Sequence, residues 1–195
     1  MPLGINPLND FAFLKTFGTP ENRESLIGLL NAVLKPKSPI ADVTIQNPFN
    51  YKDFQDDKLS ILDVKAVDAA RAWYDVEVQL RVPRGHEKRL VYYSCELFTG
   101  QLGEGEDYAA LLPAYSIWLL DGVLWPETPQ LHHAFRLTDG ASGRVLDGTL
   151  AIHTIELPKY NLKYPDLKSD DPLGCWLYWL RHAPDYEADA LRAAS

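Results

Sequence analysis

The sequence predicts an α/β fold, one mixed sheet flanked by helices. Three observations carry this expectation. Residues 19–35, TPENRESLIGLLNAVLK, place Leu26, Leu29, Leu30 and Val33 at helical spacing. Residues 58–68 and 73–82 are strand-like runs separated by the polar bend DAARA. Residues 86–102, HEKRLVYYSCELFTGQL, return to helical spacing through Leu90, Tyr93, Leu97 and Gln101, and a strand-like run follows. Strands interleaved with helices in this order build a mixed sheet.

The elements follow in chain order. NDFAFLKTF, near the N-terminus, reads as a short helix. The next helix opens with Thr19 as N-cap, Pro20 at the first helical position and Glu21 in the first turn, and Pro36 and Pro39 end it. IADVTIQNPF reads as a short strand with Val43 and Ile45 on one face. The two runs around DAARA form a hairpin. AYSIWLLDGVLW reads as a buried strand. HHAFRLTDGASGRVLDGTLAIHTIEL alternates around Gly/Asp-rich turns and reads as a meander. DPLGCWLYWLRHA reads as a helix turning Trp176 and Trp179 to the core. Residues 8–125 form the expected core, and residues 126–195 pack strands and a helix on it as one compact domain.

Composition narrows the function classes. The 195 residues are 46% hydrophobic and 24% charged, as in soluble globular proteins. The net charge of −8 argues against a general basic coat for nucleic acid, although not against a local basic groove. Cys95 and Cys175 form no CxxC pair, which points to a reducing compartment. The N-terminus shows no basic segment followed by an apolar run, so no secretory signal is expected. AALLPAYSIWLLDGVLW is interrupted by Pro113, Ser116 and Asp121 and is not a membrane span. A cytoplasmic location is expected.

The chemistry concentrates in LDVKAVDAARAWYDVEVQL, residues 62–80. Glu77 and Gln79 point to one face of their strand. A bend centred near Ala70 sets residue 63 opposite residue 77, bringing Asp63, Glu77 and Gln79 onto one surface. Two carboxylates so close repel one another, and a hard divalent cation such as Mg²⁺ relieves the repulsion. A half-exposed hairpin with a polar face explains the same residues, and spacing alone leaves the two readings even.

Asp63 followed by Glu77-x-Gln79 resembles the PD-(D/E)XK nuclease superfamily, whose members carry an Asp on one strand and Glu-x-Lys on the next. The variant Glu-x-Gln resembles the recombination-promoting nuclease and putative-transposase branch. So do NDFAFLKTFG, PEN and LLNAVL near the start and KRLVYYSCELFTGQLGEGEDYAALLPAYSIWLLD at 88–121. The resemblance spans roughly residues 8–125. It implies a restriction-endonuclease-like sheet flanked by helices, and a metal-dependent endonuclease acting on DNA. Asp63 and Glu77 would hold Mg²⁺ or Mn²⁺, with Gln79 in the place of the usual lysine. The bend, where the branch usually carries glycine, has Ala70 and Arg71 instead. The chain is also shorter at its C-terminus than many members of the branch.

Gln79 cannot act as a base at neutral pH, although it can hydrogen-bond a water or a phosphate oxygen. Lys65, on the face of Asp63, is the candidate for the missing positive charge. Arg89 and Tyr92 share a helical face with Glu96 and are candidate DNA contacts, as is Lys15. An Arg89–Glu96 surface contact is the simpler alternative. Trp73 beside the bend could stack a base. Glu104, Glu106 and Asp107 form a solvated acidic loop. Adjacent His132 and His133 face opposite ways on a strand; they, His86, His153 and His182 read as structural, and Ser142 as a turn residue. DNA is the expected partner, and a homodimer is allowed. The alternatives are a catalytically weak or inactive nuclease-fold protein that binds nucleic acid or a protein, and a decayed mobile-element relic.

Overall fold

The structure is a computed structural model that describes residues 5–46, 64–146, 148–163, 166–168 and 170–185. Asp63, and the first six residues of the expected strand 58–68, lie outside these.

Six strands form one mixed sheet: β1 (Val43–Ile45), β2 (Val64–Asp68), β3 (Trp73–Gln79), β4 (Ala114–Leu120), β5 (His132–Arg136) and β6 (Leu150–Glu156). Their order across the sheet is β1-β2-β3-β4-β6-β5. The central trio β3, β4 and β6 is parallel, and the outer pairings are antiparallel. Helices α1 (Asp10–Phe17), α2 (Arg23–Leu34) and α4 (Pro172–His182) cover one face; α3 (His86–Thr99) covers the other. This is the α/β architecture expected, consistent with a restriction-endonuclease-like fold.

The burial pattern explains the layers. Val64, Ala66, Tyr74, Val76, Val78, Ile117, Leu119 and Ile155 point into the core shared with Phe13, Phe17, Leu26, Leu30 and Leu177. Trp118 and Leu120 point the other way, beneath Leu90 of α3. Both faces of the parallel strands are therefore covered, and β4 reads as a nearly continuous apolar run for that reason.

Several boundaries differ from the sequence expectation. Pro20–Asn22 forms a separate 3₁₀ turn before α2. Thr19 does not cap α2; its hydroxyl donates to the Lys15 carbonyl at the end of α1. Lys35 closes α2 in the left-handed conformation, with φ of 47°. α3 ends at Thr99, and Gln101 lies beyond it, bonding both backbone groups of Leu112. β4 stops at Leu120 because Asp121 and Gly122 begin a turn. The C-terminal meander is one hairpin, β5–β6, with β6 inserted against β4. Trp176 and Trp179 are half-buried and pack around Phe17.

The hairpin bend is decided by Asp68 and Arg71. The Asp68 carbonyl accepts from Arg71 N–H at 2.9 Å, and its carboxylate accepts from Ala72 N–H at 2.9 Å and from Tyr74 hydroxyl at 2.7 Å. Arg71 takes φ of 64°, the left-handed conformation that closes a three-residue hairpin loop. The chain thus holds with a side chain a turn for which glycine is the easiest residue.

No helix among the described residues is long and apolar enough to cross a membrane. Cys95 and Cys175 are both free and exposed.

Candidate active site

The β2–β3 register pairs Val64 with Val76 and Val67 with Trp73, so paired residue numbers sum to 140. This is the register centred on Ala70 that the sequence indicates. Val64 is buried on the α1/α2/α4 face, which leaves Lys65 and Val67 on the α3 face. Asp63, the residue before Val64, is outside the described residues.

Three rows cross the parallel strands beneath α3. They are Asp75–Ser116–Ile152, Glu77–Trp118–Thr154 and Gln79–Leu120–Glu156. Glu77 is 9% exposed and Asp75 only 2%, whereas Gln79 is half-buried at the strand end. Glu77 and Gln79 thus share one face near the carboxyl end of the sheet. In open α/β sheets ligands bind at that end. Lys65 stands directly opposite Asp75, one row behind Glu77.

The β3–α3–β4 crossover brings the start of α3 back to the same end. Gly85, at φ of 77°, makes the reversal that starts the helix. Arg81, Arg84, Lys88 and Arg89 are all exposed along this stretch. The Arg89 guanidinium lies over the Tyr93 ring at 4.9 Å and makes no ion pair with Glu96. Tyr92 is 65% exposed and meets Tyr93 edge to face. Lys15 is exposed on α1, across the sheet from α3. A Cβ on Gly18, just after α1, would lie 2.8 Å from the Leu14 carbonyl and 3.4 Å from Val64 Cγ2. The end of α1 therefore abuts the start of β2. Trp73 is half-buried at the opposite end of β3 from Gln79.

A second polar cluster lies at the end of β6. Glu156 is fully buried and accepts from Lys159 Nζ at 2.9 Å and from Leu124 N–H at 3.1 Å. His133 Nε2 lies 3.8 Å from its other oxygen. Lys159 also donates to the carbonyls of Trp125 and Gln130. This cluster ties the 121–131 loop to the sheet. His132 points to the other face and bonds His153 ring to ring at 3.0 Å. Burial, reinforced by the neighbouring His132, pushes His153 down to about 4, and burial also lowers His132. Ser142 bonds Asp139 within its exposed turn.

A PD-(D/E)XK nuclease family transposase model matches residues 7–193. The chain belongs to that family. The match includes β5, β6 and α4, well beyond the 8–125 stretch that carried the resemblance in sequence. No curated protein and no solved structure matches the chain. Membership gives this nuclease-family protein a nuclease/transposase-type character. Among the described residues, no group of three or more His, Cys, Asp and Glu side chains is gathered to hold a metal ion.

Sequence reasoning passed over two features of this surface. Asp75 was hidden because YDVEVQ reads as an ordinary alternating strand, yet it is the acid facing Lys65. The basic run Arg81, Arg84, Lys88, Arg89 was readable as four cations in nine residues directly after Glu-x-Gln.

Proposed function

We propose that this chain is a metal-dependent DNA endonuclease serving recombination or mobile-element movement in the cytoplasm. One observation supports this most strongly: the β2–β3 ladder pairs Val64 with Val76, which is the register that the sequence reading uses to bring Asp63 and Glu77 together. The donors there are carboxylate oxygens, with the Gln79 amide one step on, which suits a hard divalent cation. Asp63 and Glu77 would hold Mg²⁺ or Mn²⁺. The ion, when bound, supplies water activation and stabilises negative charge on the phosphoryl oxygens.

The chain's own residues do the remaining work. Gln79 donates its amide N–H to a phosphate oxygen or orients the water. Arg89, Tyr92 and Lys15 hold DNA phosphates, and exposed Arg81, Arg84 and Lys88 extend that positive band despite the acidic net charge. Lys65, set against Asp75, contributes positive charge one row behind the acids.

Plasmid nicking is the test, run with Mg²⁺, with EDTA and with Asp63→Ala. Loss of cleavage in both latter cases is expected. Cleavage surviving both overturns the reading. Gln79, which cannot take a proton, favours a second reading: a nuclease fold that binds DNA without cutting it. Salt-dependent affinity without metal-dependent cleavage would establish that reading. Failure to bind DNA even at low salt would mark a relic.

A further inference from the structure

His86 is the first residue of α3, seven positions after Gln79, and the crossover returns it over the face that carries Glu77. It is 2% exposed. Its ring meets Trp118 edge to face, with centroids 5.7 Å apart and planes at 87°. Trp118 is the register neighbour of Glu77. The indole N–H of Trp118 is already committed to Ser116 Oγ at 2.8 Å, so Trp118 offers the imidazole a ring surface and no hydrogen bond. Neither His86 ring nitrogen has a hydrogen-bond partner among the described residues. A leucine or phenylalanine would fill this place on Trp118 without two unmet polar atoms. Buried polar groups are nearly always paired, and an exception calls for a specific explanation.

In the proposed site Asp63 and Glu77 would be committed to the ion, which leaves the water without an uncommitted base. Gln79 has none to offer, and Lys65 is a cation facing Asp75. We infer that His86 is a catalytic residue of the proposed hydrolysis, accepting a hydrogen bond and then the proton from the attacking water. This rests on the nuclease reading above. The water oxygen bonds to phosphorus as the bond from phosphorus to the leaving sugar oxygen breaks. The electron pair of that bond departs with the sugar oxygen, which takes a proton from a second water. The imidazolium returns its proton to the hydroxide so formed. Atoms and charge balance, with no oxidant or reductant involved.

The surroundings suit an acceptor. Burial, reinforced by Arg89, lowers the His86 pKa, while Glu87 raises it by less. A neutral imidazole keeps a lone pair free for the water. The charged groups acting on it are Arg89 and Glu87 on α3, and the sheet face beneath α3 carries Asp75 and Glu77 on β3, Lys65 on β2 and Glu156 on β6.

The experiment compares wild type, His86→Gln and Asp63→Ala in Mg²⁺-dependent nicking from about pH 5.5 to 9. His86→Gln should lower kcat at least about tenfold, leave KM for DNA unchanged and remove the acidic limb of the pH profile. A second readout uses the folded wild-type protein. The His86 ring-nitrogen NMR signals should shift when a short DNA duplex is added with Ca²⁺. If Asp63→Ala is inactive but His86→Gln keeps the wild-type kcat and pH profile, only the His86 role is overturned. Ring signals unmoved by DNA overturn it as well, which decides the matter should His86→Gln fail to fold. A wild type that does not cut overturns both readings together.

Discussion

Lys65 stands directly opposite Asp75 across the β2–β3 ladder, on the face beneath α3 and one row behind Glu77. A lysine there is set against a buried acid, and not against the acid that the Glu-x-Gln motif singles out. Opposite charges at facing strand positions contribute up to about 1 kcal/mol. Lys65→Ala should therefore lower the unfolding free energy by about 1 kcal/mol in a denaturant titration. If Lys65 also offsets charge in the proposed reaction, steady-state cleavage should fall about tenfold, or about 1.4 kcal/mol of barrier. Cleavage equal to wild type would confine Lys65 to the structural role.

Arg71 holds a left-handed conformation, with φ of 64°. That conformation costs an L-residue roughly 1–2 kcal/mol, and glycine avoids the cost while losing more chain entropy on folding. Arg71→Gly should stabilise the protein by about 0.5–1 kcal/mol, read as a higher urea midpoint with an unchanged slope. A lower midpoint would mean that the arginine side chain contributes more than the turn costs.

Glu156 is fully buried, and Lys159 is its charged partner at 2.9 Å. Lys159→Met keeps the apolar stem but leaves the carboxylate without its counter-ion and two loop carbonyls without a donor. A loss of about 3–5 kcal/mol is expected. The double variant Glu156→Gln/Lys159→Met should recover part of it, because no buried charge is left. Calorimetric melting of the three proteins measures both effects.

The His132–His153 pair should make stability depend on pH. Its members are harder to protonate in the folded state, with His153 held to about 4 against an ordinary 6.5. Above about pH 6.5 both states are neutral and the groups add no slope. As pH falls from 6.5 toward 4 the unfolded chain takes up protons that the folded chain refuses, so stability drops. The slope is up to about 1.4 kcal/mol per pH unit for each such group. His153→Gln should flatten the fall in melting temperature across that window.

The sequence made some of this legible and hid the rest, for physical reasons. The hairpin register was readable because the period of two and a bend centred on Ala70 leave one pairing that keeps Val64 and Val76 inward. The α3 crossover was readable from Leu90, Tyr93 and Leu97. Thr19 misled because a hydroxyl before proline looks like a cap, whereas here it finishes the preceding helix. The insertion of β6 between β4 and β5 was not readable, since strand order depends on contacts remote in sequence. His86 looked isolated for the same reason. Its neighbour Trp118 is thirty-two residues away, and only the crossover brings them together.

Only residues 80–85 separate the end of β3 from the start of α3. Gln79 and Arg89 are therefore two ends of one short lever. In the proposed function, a phosphate seated against Arg89 would pull on the segment that fixes the tip of the acidic strand, and grip on the nucleic acid and alignment of the reacting groups would become a single event.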